Sequence, residues 1–229
     1  MFFSLCYSFM IIMNYYSSSA TAGAVYNVVN LGAKPDGISD STRSLLSPWA
    51  AACGSVGAAT IYVPKGRYLL NHAVFGGNYC KNTHITIRIE GTLVAPSDYR
   101  VLGNAGNWLS FEGVNGVSIY GGTLDGKGTA LWACKAAPRN CPDGATSLSF
   151  TNSKNIVING LTSLNSQMFH IVINGCRNVN MRGVKITAPG DSPNTDGIHV
   201  QLSTAVMIMS TGIKTGDDCI SIGPGTRTL

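Results

Sequence analysis

Along the second half of the chain, apolar and polar residues alternate over short runs, and each run closes on a glycine or a Ser/Thr bend. "SKNIVINGLTSLNS", "CRNVNMRGVKITAP" and "STAVMIMSTGIKTGDD" each write two such runs, and "SLSFTNS", "FHIVINGC", "DGIHVQLS" and "DCISIGPG" lie between them. Alternation at period two marks strands with one buried face. Matching apolar positions, Leu148, Ile171, Ile198 and Ile220, recur at intervals of 23, 27 and 22 residues, a period that belongs to solenoids. "THITIRIEGTLVAP" and "VNGVSIYGGTLDGKG" read as less regular turns of the same repeat. Strands this short bury their apolar faces by stacking coil on coil in parallel. The predicted class is therefore all-β, a right-handed parallel β-helix, with an antiparallel sandwich as the alternative. Asn155, Asn159, Asn174 and Asn178 are expected at coil corners, where asparagine suits left-handed or tightly turned backbone.

The first half adds one helix. In "NLGAKPDGISDSTRSLLSPWAAACGS", Asp40 or Ser41 can cap a run whose apolar residues Leu45, Leu46, Trp49 and Ala52 recur at helical spacing. Pro48 is expected to kink or shorten it. Upstream, "MFFSLCYSFMIIMNYYSSSATAGA" is an apolar run ending in the small residues Ala22-Gly23-Ala24. It reads as a secretory signal peptide over residues 1–24, leaving 25–229 as one β-helix domain. No later stretch is apolar enough to span a bilayer.

Composition narrows the function classes. The 229 residues are 45% hydrophobic but only 12% charged, and the net charge of +5 comes without Lys/Arg blocks. That balance argues against nucleic-acid binding and tolerates a polyanionic substrate. Six cysteines follow the leader, Cys53, Cys80, Cys134, Cys141, Cys176 and Cys219, and none forms a CxxC pair. An even count in a secreted chain points to disulfides rather than zinc. Cys134 and Cys141 flank a short proline-containing loop that a local bridge would pin.

In so uncharged a chain, "SPNTDGIHV" and "TGDDCISIG" place Asp196, Asp217 and Asp218 among glycines and apolar residues. Asp196 and Asp217 are about one coil apart, so they are expected on neighbouring coils and on one face. Adjacent strands lie ~4.8 Å apart. Outward-reaching carboxylates can diverge to the ~6.5–9.5 Å that lets an acid and a base flank a glycosidic bond with room for water. Calcium binding and plain corner capping are the competing roles for such acids.

The strings "SPNTDGIHV" and "TGDDCISIGPGTR" resemble those of the plant polygalacturonases, pectin-degrading glycoside hydrolases with a right-handed β-helix. "NLGAKPDG", "GGTLDGKG" with "LWACK", and "SLNSQMFHIVINGC" extend the likeness over nearly all of the mature chain. The resemblance implies inverting hydrolysis of α-1,4-galacturonan with no cofactor and no metal. It makes Asp217 the general acid, Asp196 and Asp218 the pair that activates water, and Asn194 a residue that orients the cluster or the bound sugar. His170 and His199 stay outside the catalytic set, since a lone histidine among apolar strands is usually structural.

The family's Gly-His-Gly and Arg-Ile-Lys strings do not occur here, and no histidine follows Asp218. The expectation is a C-terminally truncated chain of impaired activity, a monomer whose open last coil invites aggregation. Pairing Cys53 with Cys80 and Cys134 with Cys141 leaves Cys176 and Cys219 over, the latter resembling a cysteine that bonds into a following coil. A secreted cell-wall protein acting on pectin, with no membrane attachment after leader cleavage, is the resulting reading. A non-catalytic pectin-binding protein is the alternative, and a calcium-dependent lyase is disfavoured by the Asn-Thr-Asp string.

Overall fold

The computed structural model describes residues 23–137 and 140–229. The leader expected over 1–24 therefore falls almost wholly outside the described residues. Ala24, where it was expected to end, already opens a strand in register with Ala59.

Among the described residues every strand pair is parallel, and the strands stack into ladders that wind as a right-handed β-helix. The front sheet holds six strands: Ala73–Gly76, Asn107–Glu112, Thr146–Thr151, Ile171–Asn174, Ile198–Gln201 and Ile220–Ile222. A back sheet runs from Ala24–Asn27 through Ala59–Val63, Ile85–Val94, Asn115–Asp125, Lys154–Asn159 and Arg177–Arg182 to Thr204–Met209. Short third strands, Thr162–Leu164, Lys185–Thr187 and Gly212–Lys214, complete the later coils. The parallel pairing rules out the sandwich.

The predicted register is the observed one. Leu148 lies level with Ile171, Ile171 with Ile198, and Ile198 with Ile220. Two residues further along the front sheet, Phe75, Phe111 and Phe150 form an inward aromatic stack, with ring centroids 4.5 and 4.8 Å apart and planes 12° from parallel. Such ladders bury apolar area continuously, at about 25 cal/mol per Å² removed from water.

The expected capping helix, α1, spans Thr42–Gly54. It runs through Pro48 rather than stopping there, because Leu45, Pro48, Trp49 and Ala52 are all buried against the first coils. Trp49 meets Phe75 and Phe111 edge-on and donates its indole N–H to the carbonyl of Gly76 at 3.1 Å. Ser41 is the N-cap residue but its hydroxyl makes no capping bond; the Asp40 carboxylate accepts from the Thr42 N–H at 2.9 Å instead. A second helix, α2 (Thr129–Lys135), was not anticipated. It is two turns long, too short for its apolar period to stand out from the neighbouring strands.

Cys53 is bonded to Cys80 and Cys134 to Cys141, while Cys176 is a buried free thiol and Cys219 an exposed one, as the pairing required. The corner asparagines divide. Asn155 and Asn178 hold left-handed backbone, φ 57° and 56°, and form a ladder in which Asn178 donates to Asn155 and Asn155 to Asn115, each at 2.8 Å. Asn159 and Asn174 instead end strands, and the glycines that follow, Gly160 and Gly175, take the positive φ. A residue free of Cβ is the cheaper choice at that bend.

Candidate active site

All three aspartates sit where the third strands hand over to the front sheet. The Gly197 N–H donates to the Asp218 carbonyl at 2.8 Å and the Ile198 N–H to the Cys219 carbonyl at 3.1 Å. With Ile198 level with Ile220, Asp196 is level with Asp218, and Asp217 is one residue before it. The acids thus lie on adjacent coils as expected, but the stacked pair is Asp196 and Asp218 rather than Asp196 and Asp217.

Two glycines permit this close stacking. A Cβ on Gly197 would run into the Cys219 carbonyl and the Ile213 side chain; one on Gly216 would run into Ser192. Thr195, fully buried, ties the two loops together. Its hydroxyl lies 2.7 Å from that of Ser192, accepts from the Thr215 hydroxyl at 2.8 Å, and accepts from the Gly216 N–H at 3.3 Å. Asn194 is exposed and left-handed, φ 55°, a conformation asparagine tolerates better than most residues. It turns the chain so that Thr195 points inward and Asp196 reaches its partner.

That partner is Ser221. Its hydroxyl lies 2.6 Å from Asp196 Oδ2 and 2.8 Å from His199 Nδ1. His199 stacks on Phe169, centroids 5.3 Å apart and planes 15° from parallel, and its Nε2 is 3.3 Å from Gln201 Oε1. Asp196 is buried, whereas Asp217 and Asp218 are exposed, with Asp217 Oδ1 accepting from the Asp218 N–H at 2.9 Å. Three other acids have cationic partners: Asp98 pairs with Arg100, Glu90 with Arg88, and Asp125 with Arg67 and Lys127. Among the described residues no cation pairs with Asp196, Asp217 or Asp218, and no group of three or more His, Cys, Asp or Glu side chains is arranged to hold a metal.

The two histidines of these coils differ. His170 is fully buried, with Nδ1 2.8 Å from the Ser163 hydroxyl, and burial pushes its pKa down to about 4. It is a neutral core residue. His199 joins the aspartate network and was missed by reading from sequence, as were Ser221 and Thr195. The available signal was strand parity: His199 and Ser221 are the polar members of alternating strands and therefore face outward, side by side in register.

The family model for glycosyl hydrolases family 28 matches residues 53–229. The chain belongs to glycosyl hydrolases family 28. Within that family, it is 59% identical over 228 residues to a polygalacturonase of Prunus persica, an alignment covering 99% of this chain and 57% of the relative. An exopolygalacturonase of Platanus acerifolia is 42% identical over 213 residues, covering 91% of this chain and 55% of the relative. The chain spans about half the length of the curated relatives it matches. Among solved structures, the endo-xylogalacturonan hydrolase of Aspergillus tubingensis superposes with a TM-score of 0.74 at 27% identity, over 86% of this chain and 53% of that one.

Proposed function

We propose that this family 28 chain hydrolyses the α-1,4-galacturonan of pectin outside the cell, in the plant cell wall, by an inverting acid/base mechanism. The observation that carries the reading is the stacked, cation-free carboxylate set, Asp196 level with Asp218 and Asp217 beside it. A fold does not assign a function; this constellation is what gives the reading its chemistry. Relatives named as polygalacturonases support the substrate class.

Asp217, exposed at the turn, gives its proton to the glycosidic oxygen as the bond to the anomeric carbon breaks. Asp196 and Asp218 take a proton from a water that adds to the opposite face of that carbon. Among the described residues Asp196 Oδ1 carries no hydrogen bond, so one oxygen is available to the water while Ser221 holds the other. Asn194, exposed in the same loop, orients the cluster or the bound sugar. An electrically unneutralised cluster also meets a cost, since pectin is itself anionic; cations on the protein must compensate for the substrate carboxylates.

The test is release of reducing ends from polygalacturonate by the wild-type chain and by Asp217→Asn. Loss of at least about 10²-fold is expected from removing a general acid. Undiminished activity in the variant would refute the role of Asp217. Tight binding of polygalacturonate without turnover in the wild type would favour a pectin-binding protein instead.

A further inference from the structure

The hydrogen bonds around Ser221 constrain where protons reside. A serine hydroxyl has one hydrogen to give. It lies between Asp196 Oδ2 at 2.6 Å and His199 Nδ1 at 2.8 Å. If that hydrogen goes to the carboxylate, His199 Nδ1 must be protonated and donate to the serine oxygen. If it goes to the imidazole, Asp196 must itself be protonated, and it could no longer accept a proton from water. Imidazole is the stronger base of the two side-chain types, which favours the first polarity. The second ring nitrogen, Nε2, lies 3.3 Å from the Gln201 side-chain amide; with the amide turned so that its NH2 faces the ring, Nε2 accepts and a neutral ring carries its one proton on Nδ1.

We infer that His199, acting through Ser221, is a positioning residue that holds Asp196 as an ionised, oriented acceptor, the chain of donors running His199 Nδ1–H to Ser221 Oγ–H to Asp196 Oδ2. The inference rests on the reading of Asp196 as part of the catalytic base and assigns it a support that spans two coils. His199 precedes Ser221 by one coil in register, and Phe169 stacks on the ring from the coil before. The imidazole is thus fixed on one face, by Phe169, and at both nitrogens. It supplies an N–H donor one hydroxyl away from a buried carboxylate that no lysine or arginine among the described residues reaches. A buried anion without such support is costly.

The experiment is nitrogen-15 NMR of the His199 ring in the wild-type chain near neutral pH, with Ser221→Ala, Ser221→Thr and Asp196→Asn alongside. The expected result is a protonated Nδ1 in the wild type, and a ring signature that changes in Ser221→Ala and Asp196→Asn and returns in Ser221→Thr. A bare Nδ1 with the proton on Nε2 alone, or a ring signature unmoved by all three substitutions, would overturn the inference. On polygalacturonate, Ser221→Ala is expected to lower kcat by about 10- to 100-fold at nearly constant KM, part of what a positioned base contributes. Equal kcat in the two proteins would also contradict it. If the wild-type chain shows no turnover, the hydrolase reading fails while the ring spectra still decide the donor chain.

Discussion

The coil that enters the front sheet at Ile198 and the coil that enters it at Ile220 carry the same pattern, yet the environments differ. Ile198 and Val200 are 0% exposed, while Ile220 and Ile222, their neighbours in the ladder, are 41% and 59% exposed. The acids follow suit, with Asp196 buried beneath the next coil and Asp217 and Asp218 open to solvent. In a solenoid, then, a position in the repeat does not by itself fix a residue's surroundings; the coil stacked on it does. Asp196 owes its serine partner, its burial and its orientation to the strand Ile220–Ile222.

Truncating each of the two ladder positions separates the two environments. Ile198→Ala should cost about 2–5 kcal/mol, the range for a cavity in a packed core. Ile220→Ala, at a partly exposed site, should cost less than about 1 kcal/mol. Urea midpoints of the two variants check the ratio, and equal losses would mean that the two coils are equally covered.

A second contrast separates the histidines. The buried ring of His170 is neutral in the fold, with a pKa of about 4 against 6.5 for a free imidazole. As pH falls, the unfolded chain takes up this proton first. The stabilising contribution is complete above pH 6.5 and is lost progressively as pH falls to about 4. At about 1.4 kcal/mol per unit, the full effect approaches ~3 kcal/mol. Replacing the ring by His170→Gln should therefore flatten the fall in stability between neutral and mildly acid pH, measured by urea unfolding at both. An unchanged fall would remove His170 as its source.

Much of this was legible in the amino-acid sequence, for identifiable reasons. The ladder Leu148, Ile171, Ile198, Ile220 was readable because period-two alternation and a coil-length repeat put these four positions in one row under parallel stacking. The Cys134–Cys141 bridge was readable from its short proline-containing loop. The exact level of the acids was not. It depends on how many residues the bends at Asn194–Gly197 and Gly216–Cys219 consume, and a shift of one residue there exchanges Asp217 for Asp218 opposite Asp196. The donor chain through Ser221 was hidden for a related reason. His199 and Ser221 are 22 residues apart in sequence and meet only because their strands are adjacent. Pro48 was misleading in the opposite direction, since its local helix-breaking tendency is outweighed by the burial of α1 on the first coils.

The single displacement by water that we propose for these carboxylates has a stereochemical signature. The direct measurement is proton NMR of polygalacturonate during the first minutes of cleavage, following the anomeric signals of new reducing ends before they equilibrate. Inversion at an α-linkage predicts that the β-anomer appears first. First appearance of the α-anomer, or of an unsaturated product, would exclude inverting hydrolysis at this site.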